Sequence, residues 1–164
     1  MRCTLYIQHE KQLFEPVVES GVQWETSRKG MPGKLTFKVV KDDILNFTEG
    51  DAVSFYDGED IVFFGFVFSK SRNKDGAISV TAYDQLRYLK NKDTYVYENK
   101  TASEVVRMLA EDFSLKLGDI EDTKHKIESR VEDNQTLFDE IAAHTRDFSH
   151  ELAAKELAIK TYIC

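Results

Sequence analysis

Ala52-Val-Ser-Phe-Tyr-Asp57-Gly58-Glu-Asp-Ile-Val-Phe-Phe-Gly-Phe-Val-Phe68 and the adjoining Ser69-Lys-Ser-Arg-Asn-Lys-Asp75-Gly76-Ala-Ile-Ser-Val-Thr-Ala-Tyr83 hold three runs that favour extended backbone, separated by two Asp-Gly dipeptides. A tight two-residue hairpin turn needs positive φ, which Asp tolerates and Gly adopts at little cost. Each dipeptide therefore predicts a chain reversal between antiparallel strands. Three strands joined this way make a meander, and a meander with an apolar face rolls into a barrel or sandwich. Within the middle run Ile61, Phe63 and Val67 form one face, suited to the inside. Val62, Phe64, Phe66 and Phe68 form the other, and it too needs cover. That cover is either a helix of the same chain or a neighbouring subunit. Gly65 in mid-strand predicts a bulge or a close backbone approach. Glu59, Asp60, Lys70 and Arg72 flank the run with charge, as gatekeepers against aggregation do.

Upstream, Cys3, Leu5 and Ile7 alternate with Thr4, Tyr6 and Gln8, which predicts an opening strand, and Pro16 breaks the stretch after it. Val22, Trp24 and Thr26 alternate against Gln23, Glu25 and Ser27, predicting a second strand with Trp24 inward. Gly30-Met-Pro32-Gly33 predicts a compact turn, since Pro presets φ and Gly relieves the steric limit after it. It leads into a strand with Leu35, Phe37 and Val39 on one face. Asn46-Phe-Thr-Glu-Gly50-Asp51 predicts another turn.

Downstream the period changes. Asp84 to Lys90 can form one or two helical turns, and Thr94 to Tyr97 a short strand. Thr101-Ala-Ser-Glu104 matches a capping box, in which the Thr hydroxyl accepts from a first-turn amide while the Glu reaches back. Val105, Val106, Met108, Leu109 and Phe113 come next at helical spacing, predicting an amphipathic helix of about 13 residues, the best candidate within the chain to cover the outer aromatic face. Thr136-Leu-Phe-Asp139 opens a second stretch, helical to about residue 159, with Leu137, Ile141, Thr145, Phe148, Leu152 and Ile159 on one stripe. The expected fold class is α+β: an antiparallel β-barrel with one or two packed helices and a C-terminal helix. Residues 1–98 would form the barrel, 99–134 a helix and connecting segment completing or covering it, and 135–164 the C-terminal helix.

The composition, 41% hydrophobic and 31% charged over 164 residues, suits a globular chain of one domain or one domain with an appendage. No apolar stretch approaches the roughly 20 residues that span a bilayer, and the opening residues are too polar for a signal peptide. Cys3 and Cys164 lie at the two ends, with no metal-site or disulfide-framework spacing, and read as free thiols. The net charge of −7 falls almost wholly after residue 90, so direct nucleic-acid binding is not expected.

No catalytic pattern stands out. Gly-x-Ser-x-Gly is absent, and Gly30-Met-Pro-Gly33 has neither Walker nor dinucleotide spacing. Glu140, His144, Asp147 and Glu151 share one helical face, but a di-metal site needs ligands from several helices, so a solvated polar face is the better reading. Tyr6, Tyr56, Tyr83, Tyr88, Tyr95 and Tyr97 suggest a sugar platform, although tyrosine is common on sheets. No cofactor and no metal site is expected, and no enzyme activity.

Seven phrases in order carry a family resemblance: Trp24-Glu-Thr-Ser-Arg28, Gly30-Met-Pro-Gly-Lys-Leu-Thr-Phe37, Glu49-Gly-Asp-Ala-Val-Ser-Phe55, Phe64-Gly-Phe-Val67, Val80-Thr-Ala-Tyr-Asp-Gln-Leu-Arg-Tyr-Leu89, Lys100-Thr-Ala-Ser-Glu-Val-Val-Arg-Met-Leu109 and Asp133-Asn-Gln-Thr-Leu-Phe-Asp139. Together they resemble the N-terminal part of the XkdQ/YqbQ group of PBSX-type phage baseplate hub proteins. The order of turns and strands is also similar to the late-control-D hubs and the first domain of type VI secretion spikes. The resemblance implies a tube-like barrel domain in a trimeric hub joining tail tube to central spike. It implies a virion tail location, assembly in the bacterial cytoplasm, and tube, spike, LysM-type or tape-measure proteins as partners. After about residue 140 the sequence departs from the group, turning Ala- and Lys-rich where such hubs continue into a second barrel, as in a truncated or short hub. The alternative function is a tail-associated carbohydrate-binding or wall-degrading module. The candidate assembly surface is Val62, Phe64, Phe66 and Phe68, and the structural turns are Gly30, Pro32, Gly33, Gly50, Asp57, Gly58, Asp75 and Gly76.

Overall fold

A computed structural model describes residues 3–27, 31–74, 76–120, 124, 126–137 and 158–162. The chain divides into two units, one of residues 1–87 with 155–164 and one of residues 88–154.

The first unit is an antiparallel sheet that curls as a half-barrel around one apolar core. Its strands are β1 (Cys3–His9), β2 (Gln12–Phe14), β3 (Val18–Thr26), β4 (Lys34–Val40), β5 (Ala52–Asp57), β6 (Asp60–Arg72), β7 (Ala77–Tyr83) and a late-coming strand, Ala158–Tyr162. Across the sheet the order is the late strand, β3, β4, β7, β6, β5, β1, β2. Pairs β5–β6 and β6–β7 are the two hairpins that the Asp-Gly dipeptides predict. The concave face is filled by Leu5, Ile7, Val22, Leu35, Phe37, Val39, Val53, Phe55, Phe63, Val67 and Val80, with Trp24 packed against them. These are the alternate positions of each strand, as the period of two requires. β2 and the late strand are the two edges.

The turn chemistry differs in detail from the expectation. Asp57 is the last residue of β5 and pairs with Asp60, so the two-residue loop is Gly58-Glu59. Gly58 takes φ +67 at its first position, as a II′ turn demands. In the second hairpin Asn73 donates its N–H to the Ala77 carbonyl and Gly76 donates to the Asn73 carbonyl, at 2.8 and 3.2 Å. Gly76, φ +89, is then the left-handed third residue of a three-residue loop. Asp75 and Gly30 lie outside the described residues. Gly50 takes φ +95 as the third residue of the turn Thr48–Asp51, where Asp51 N–H donates to the Thr48 carbonyl at 3.2 Å. The Asp51 carboxylate accepts from Thr48 N–H at 2.6 Å and contacts His9 Nδ1 at 2.8 Å. It pins the end of β1 to the entry of β5.

The second unit is built on a long hairpin, β8 (Lys92–Thr101) with β9 (Lys126–Thr136), and helix α1 (Ala102–Asp112). The Thr94–Tyr97 strand expected at the end of the barrel is the middle of β8. The capping box forms in both directions: Thr101 Oγ1 accepts from Glu104 N–H at 3.3 Å, and Glu104 Oε2 accepts from Thr101 N–H at 2.7 Å. Val105 and Leu109 on α1 pack with Leu89, Tyr97 and Leu137. The apolar face of α1, expected to cover the barrel aromatics, is buried in this cluster.

The helix expected over 135–164 falls mostly outside the described residues. At its far end the structure differs. Ala158–Tyr162, which becomes β10, runs antiparallel to β3, with Ile159 opposite Glu25 and Thr161 opposite Gln23. Ile-Lys-Thr-Tyr is rich in β-formers, and pairing with an edge strand satisfies backbone groups that helical periodicity alone does not register.

Candidate assembly surface

Two bulges set what β6 shows on each face. Phe55 pairs with Phe63 but Tyr56 with Ile61, so Val62 is an extra residue in β6. On the other side Val67 pairs with Ala82 but Ser69 with Thr81, so Phe68 is extra against β7. A bulge re-aims the residues beside it. Ile61, expected inside with Phe63, is therefore turned outward and 57% exposed, while Val62 packs partly against the inner core. Both corrections share that cause, which period-two alternation cannot register.

Phe64, Phe66 and Phe68 do share the outer side. Phe64 is 45% and Phe68 53% exposed, and Phe66 is half-buried. Their rings are organised in edge-to-face pairs, Phe64 with Phe66 at 5.7 Å between centroids and Phe68 with Tyr83 at 5.2 Å. Such pairs contribute about 0.5–1.5 kcal/mol each beyond area burial. The Arg87 guanidinium lies 5.0 Å from the Phe68 ring and 5.8 Å from that of Tyr83, a cation over two π faces. Across β5 and β1 the aromatic band continues with Tyr56 and Tyr6, also edge-to-face at 6.0 Å. Tyr83, Arg87, Tyr6 and Tyr56 extend the surface beyond the four residues of the sequence pattern. Cross-strand pairing brings them there, and only the strand order could have signalled it.

The six tyrosines do not gather into one platform. Tyr97 is buried and Tyr95 packs against the same cluster of the second unit.

Gly65 is in the sheet interior because of a close approach. A Cβ there would sit 2.3 Å from the Tyr83 carbonyl oxygen and 2.6 Å from Phe63 Cζ. Gly33, with Pro32 buried beside it, has a similar reason and no need of positive φ. A Cβ on it would meet Asp84 Oδ2 at 2.6 Å. That oxygen accepts from Gly33 N–H at 2.9 Å, and Asp84 Oδ1 accepts from Leu86 N–H at 3.0 Å. Burial pushes the Asp84 carboxyl above its ordinary value, against the two backbone hydrogen bonds from Gly33 and Leu86, which act to lower it. Asp84 thereby ties the loop before β4 to the 3₁₀ turn Gln85–Lys90 that comes after β7. Among the described residues no cluster of His, Cys, Asp and Glu could hold a metal ion, and no helix is long and apolar enough to cross a membrane. Glu140, His144, Asp147 and Glu151 lie outside the described residues.

Known proteins share this fold and much of the sequence. The uncharacterised protein YqbQ of Bacillus subtilis (strain 168) is 36% identical over 144 residues, which span 84% of this chain and 43% of that protein. The phage-like element PBSX protein XkdQ of the same organism is 33% identical over 138 residues, 80% of this chain and 42% of the relative. The chain thus spans less than half the length of these relatives. Among solved structures, the 43 kDa tail protein of prophage MuSo2 from Shewanella oneidensis superposes with a TM-score of 0.72 at 17% identity, over 88% of this chain and 47% of that one. A tail protein from Neisseria meningitidis MC58 gives 0.66 at 14% identity, over 90% and 46%. The Escherichia coli c3393 protein, a type VI secretion component, also gives 0.66, at 12% identity over 97% and 48%. At these identities the likeness is one of fold. A family model described as YQBQ-like matches residues 22–151, past the point near residue 140 where the sequence departs from the hub pattern. This chain belongs to the YQBQ-like family.

Proposed function

We propose that the chain is a structural component of a contractile phage or phage-like tail, in the baseplate hub that links tail tube to central spike. It works by protein–protein contact and not by catalysis. Its place is the virion tail, and its neighbours there are tube, spike, LysM-type or tape-measure proteins and, in the assembled state, further copies of its own kind as a trimer. The family membership supports the tail context, since one relative is named as part of a phage-like element. The observation that carries the contact role is the outer face of β6, where Phe64 and Phe68 stay about half exposed on a rigid sheet while the inner face is fully packed. An aromatic band of this kind on a sheet marks an interface, because leaving it in water forgoes the burial free energy of several large side chains. A Phe64→Asp/Phe68→Asp double variant tests it in an inducible tail-producing strain. Its melting temperature should fall by several degrees, because two edge-to-face ring pairs are lost, yet it should stay folded at the assay temperature while its incorporation into sedimented tails is lost. A folded double variant that enters tails at the wild-type level defeats the reading.

A further inference from the structure

Beyond the short edge strand β2, much of one side of β1 lies open at the sheet border, and β1 has unusually little protection of its own. Cys3-Thr-Leu-Tyr-Ile-Gln8 carries no charge and no Pro, the devices by which natural sheets discourage a stranger from pairing with an open edge. One side of β1 is taken by β5 from Cys3 to Gln8. On the other side β2 pairs only at Ile7–Phe14, Gln8–Leu13 and His9–Gln12, and among the described residues no strand pairs with Cys3–Tyr6 there. The protective features sit on β2 and its flanks. It is three residues long, it is entered through Glu10 and Lys11, and it is left through Glu15 and Pro16. Glu10 is held at φ +51, a left-handed conformation that costs a non-glycine residue. Leu13 is largely exposed, so burial contributes little to holding β2 down.

The register explains why three residues are enough. Side chains of β1 alternate, with Cys3, Leu5 and Ile7 facing the core and Thr4 and Tyr6 facing outward. A second copy of β1 could extend the sheet antiparallel across a two-fold axis only in registers that keep inward residues opposite inward ones, because a slip of one residue flips every side chain. Centred on Tyr6, the pairing is fully matched: Leu5 meets Ile7, Thr4 meets Gln8, and Tyr6 meets its own copy, over all seven residues of the strand. With β2 covering Ile7 to His9, the longest matched registers are centred on Thr4 or on Leu5 and span only three residues each, Cys3 to Leu5 or Thr4 to Tyr6. Three residue pairs make too short a ladder to hold two molecules together.

We propose that β2 is an edge guard, and that its displacement opens β1 as a self-complementary edge for β1 of a second copy of this chain. The guard keeps the sheet from pairing with itself until a partner or a change of conditions lifts three residues away. Its weak attachment, through three pairs and a strained turn, suits a strand that must be removable.

The test is made on the full chain by light scattering after size exclusion. Gln12→Pro removes the β2 backbone donor that faces His9 of β1 in the pair closing the two-residue loop, and touches no core residue. The folded variant should show twice the wild-type mass at micromolar concentration. Adding Tyr6→Lys to Gln12→Pro places like charges opposite each other at the two-fold axis and should return the mass to the wild-type value. Gln12→Gly, which weakens β2 without the ring of Pro, serves in the same way should Gln12→Pro fail to fold. A folded β2 variant with the wild-type mass overturns the proposal, as does a doubled mass that survives Tyr6→Lys.

Discussion

Gly33 and Asp84 clasp one another. Gly33 N–H donates to Asp84 Oδ2 at 2.9 Å, and Asp84 N–H donates to the Gly33 carbonyl at 3.1 Å. The first residue stands just before β4, the second just after β7, and the two strands are neighbours. The clasp therefore closes the end of the central strand pair.

Gly33→Ala should cost about 1–3 kcal/mol, the usual penalty when a buried polar group loses its partner, because the new methyl occupies the position of the carboxylate oxygen. Urea denaturation measures it. In an Asp84→Ala background the same substitution should cost far less, since the conflicting oxygen is gone. An unchanged penalty in that background would mean that the methyl conflicts with something else.

Asp84 also makes a pH prediction. Its carboxyl is raised above 3.8 by burial. As pH rises from that value, the unfolded chain gives up its proton before the folded one does. The folded state then binds more protons, and the Asp84 contribution to stability falls until the folded pKa is passed. The advantage of wild type over Asp84→Asn should accordingly narrow as pH climbs from about 4 toward neutrality. Parallel denaturation series at several pH values would show it, and a gap that widens with pH contradicts it.

Gly65→Ala should be among the most damaging single-methyl additions in the first unit. The methyl would lie 2.3 Å from a backbone oxygen of β7, so strands must separate, at a cost of about 3 kcal/mol or more. A melting temperature within two or three degrees of wild type would refute this.

Thr101→Ala removes one arm of the capping box and should destabilise the second unit by about 1 kcal/mol. Thr101→Ser keeps the accepting oxygen and should recover most of it. The readout is thermal melting by circular dichroism, and equal losses in both variants would point to the lost methyl, not the cap.

Much of this fold is visible in the bare chain, and the exceptions have physical causes. Leu35, Phe37 and Val39 announce a core-facing strand because each alternate residue meets the same environment. Thr101 and Glu104 announce a helix start because the cap is a local bond between near neighbours. The bulges at Val62 and Phe68 leave no mark, since an extra residue is defined by the strand opposite. β9 is invisible for a related reason: only Ile127 and Val131 are apolar in its 11 residues, so no period stands out, and its pairing with β8 carries it. Of the candidate surface, the phenylalanines are legible as an unspoken-for stripe. Tyr83 and Arg87 join them only through pairing and stacking set by the fold.

The way β10 returns to β3 has a kinetic consequence. Its pairing of Ala158 with Thr26 joins positions far apart in the sequence, and the whole second unit is strung between Arg87 and Lys155. Closing so long a loop is entropically slow, so this border should be the last to zip up and the first to fray under stress. Backbone amide exchange should then be fastest along the β10 border and slowest where β4, β7 and β6 lie side by side.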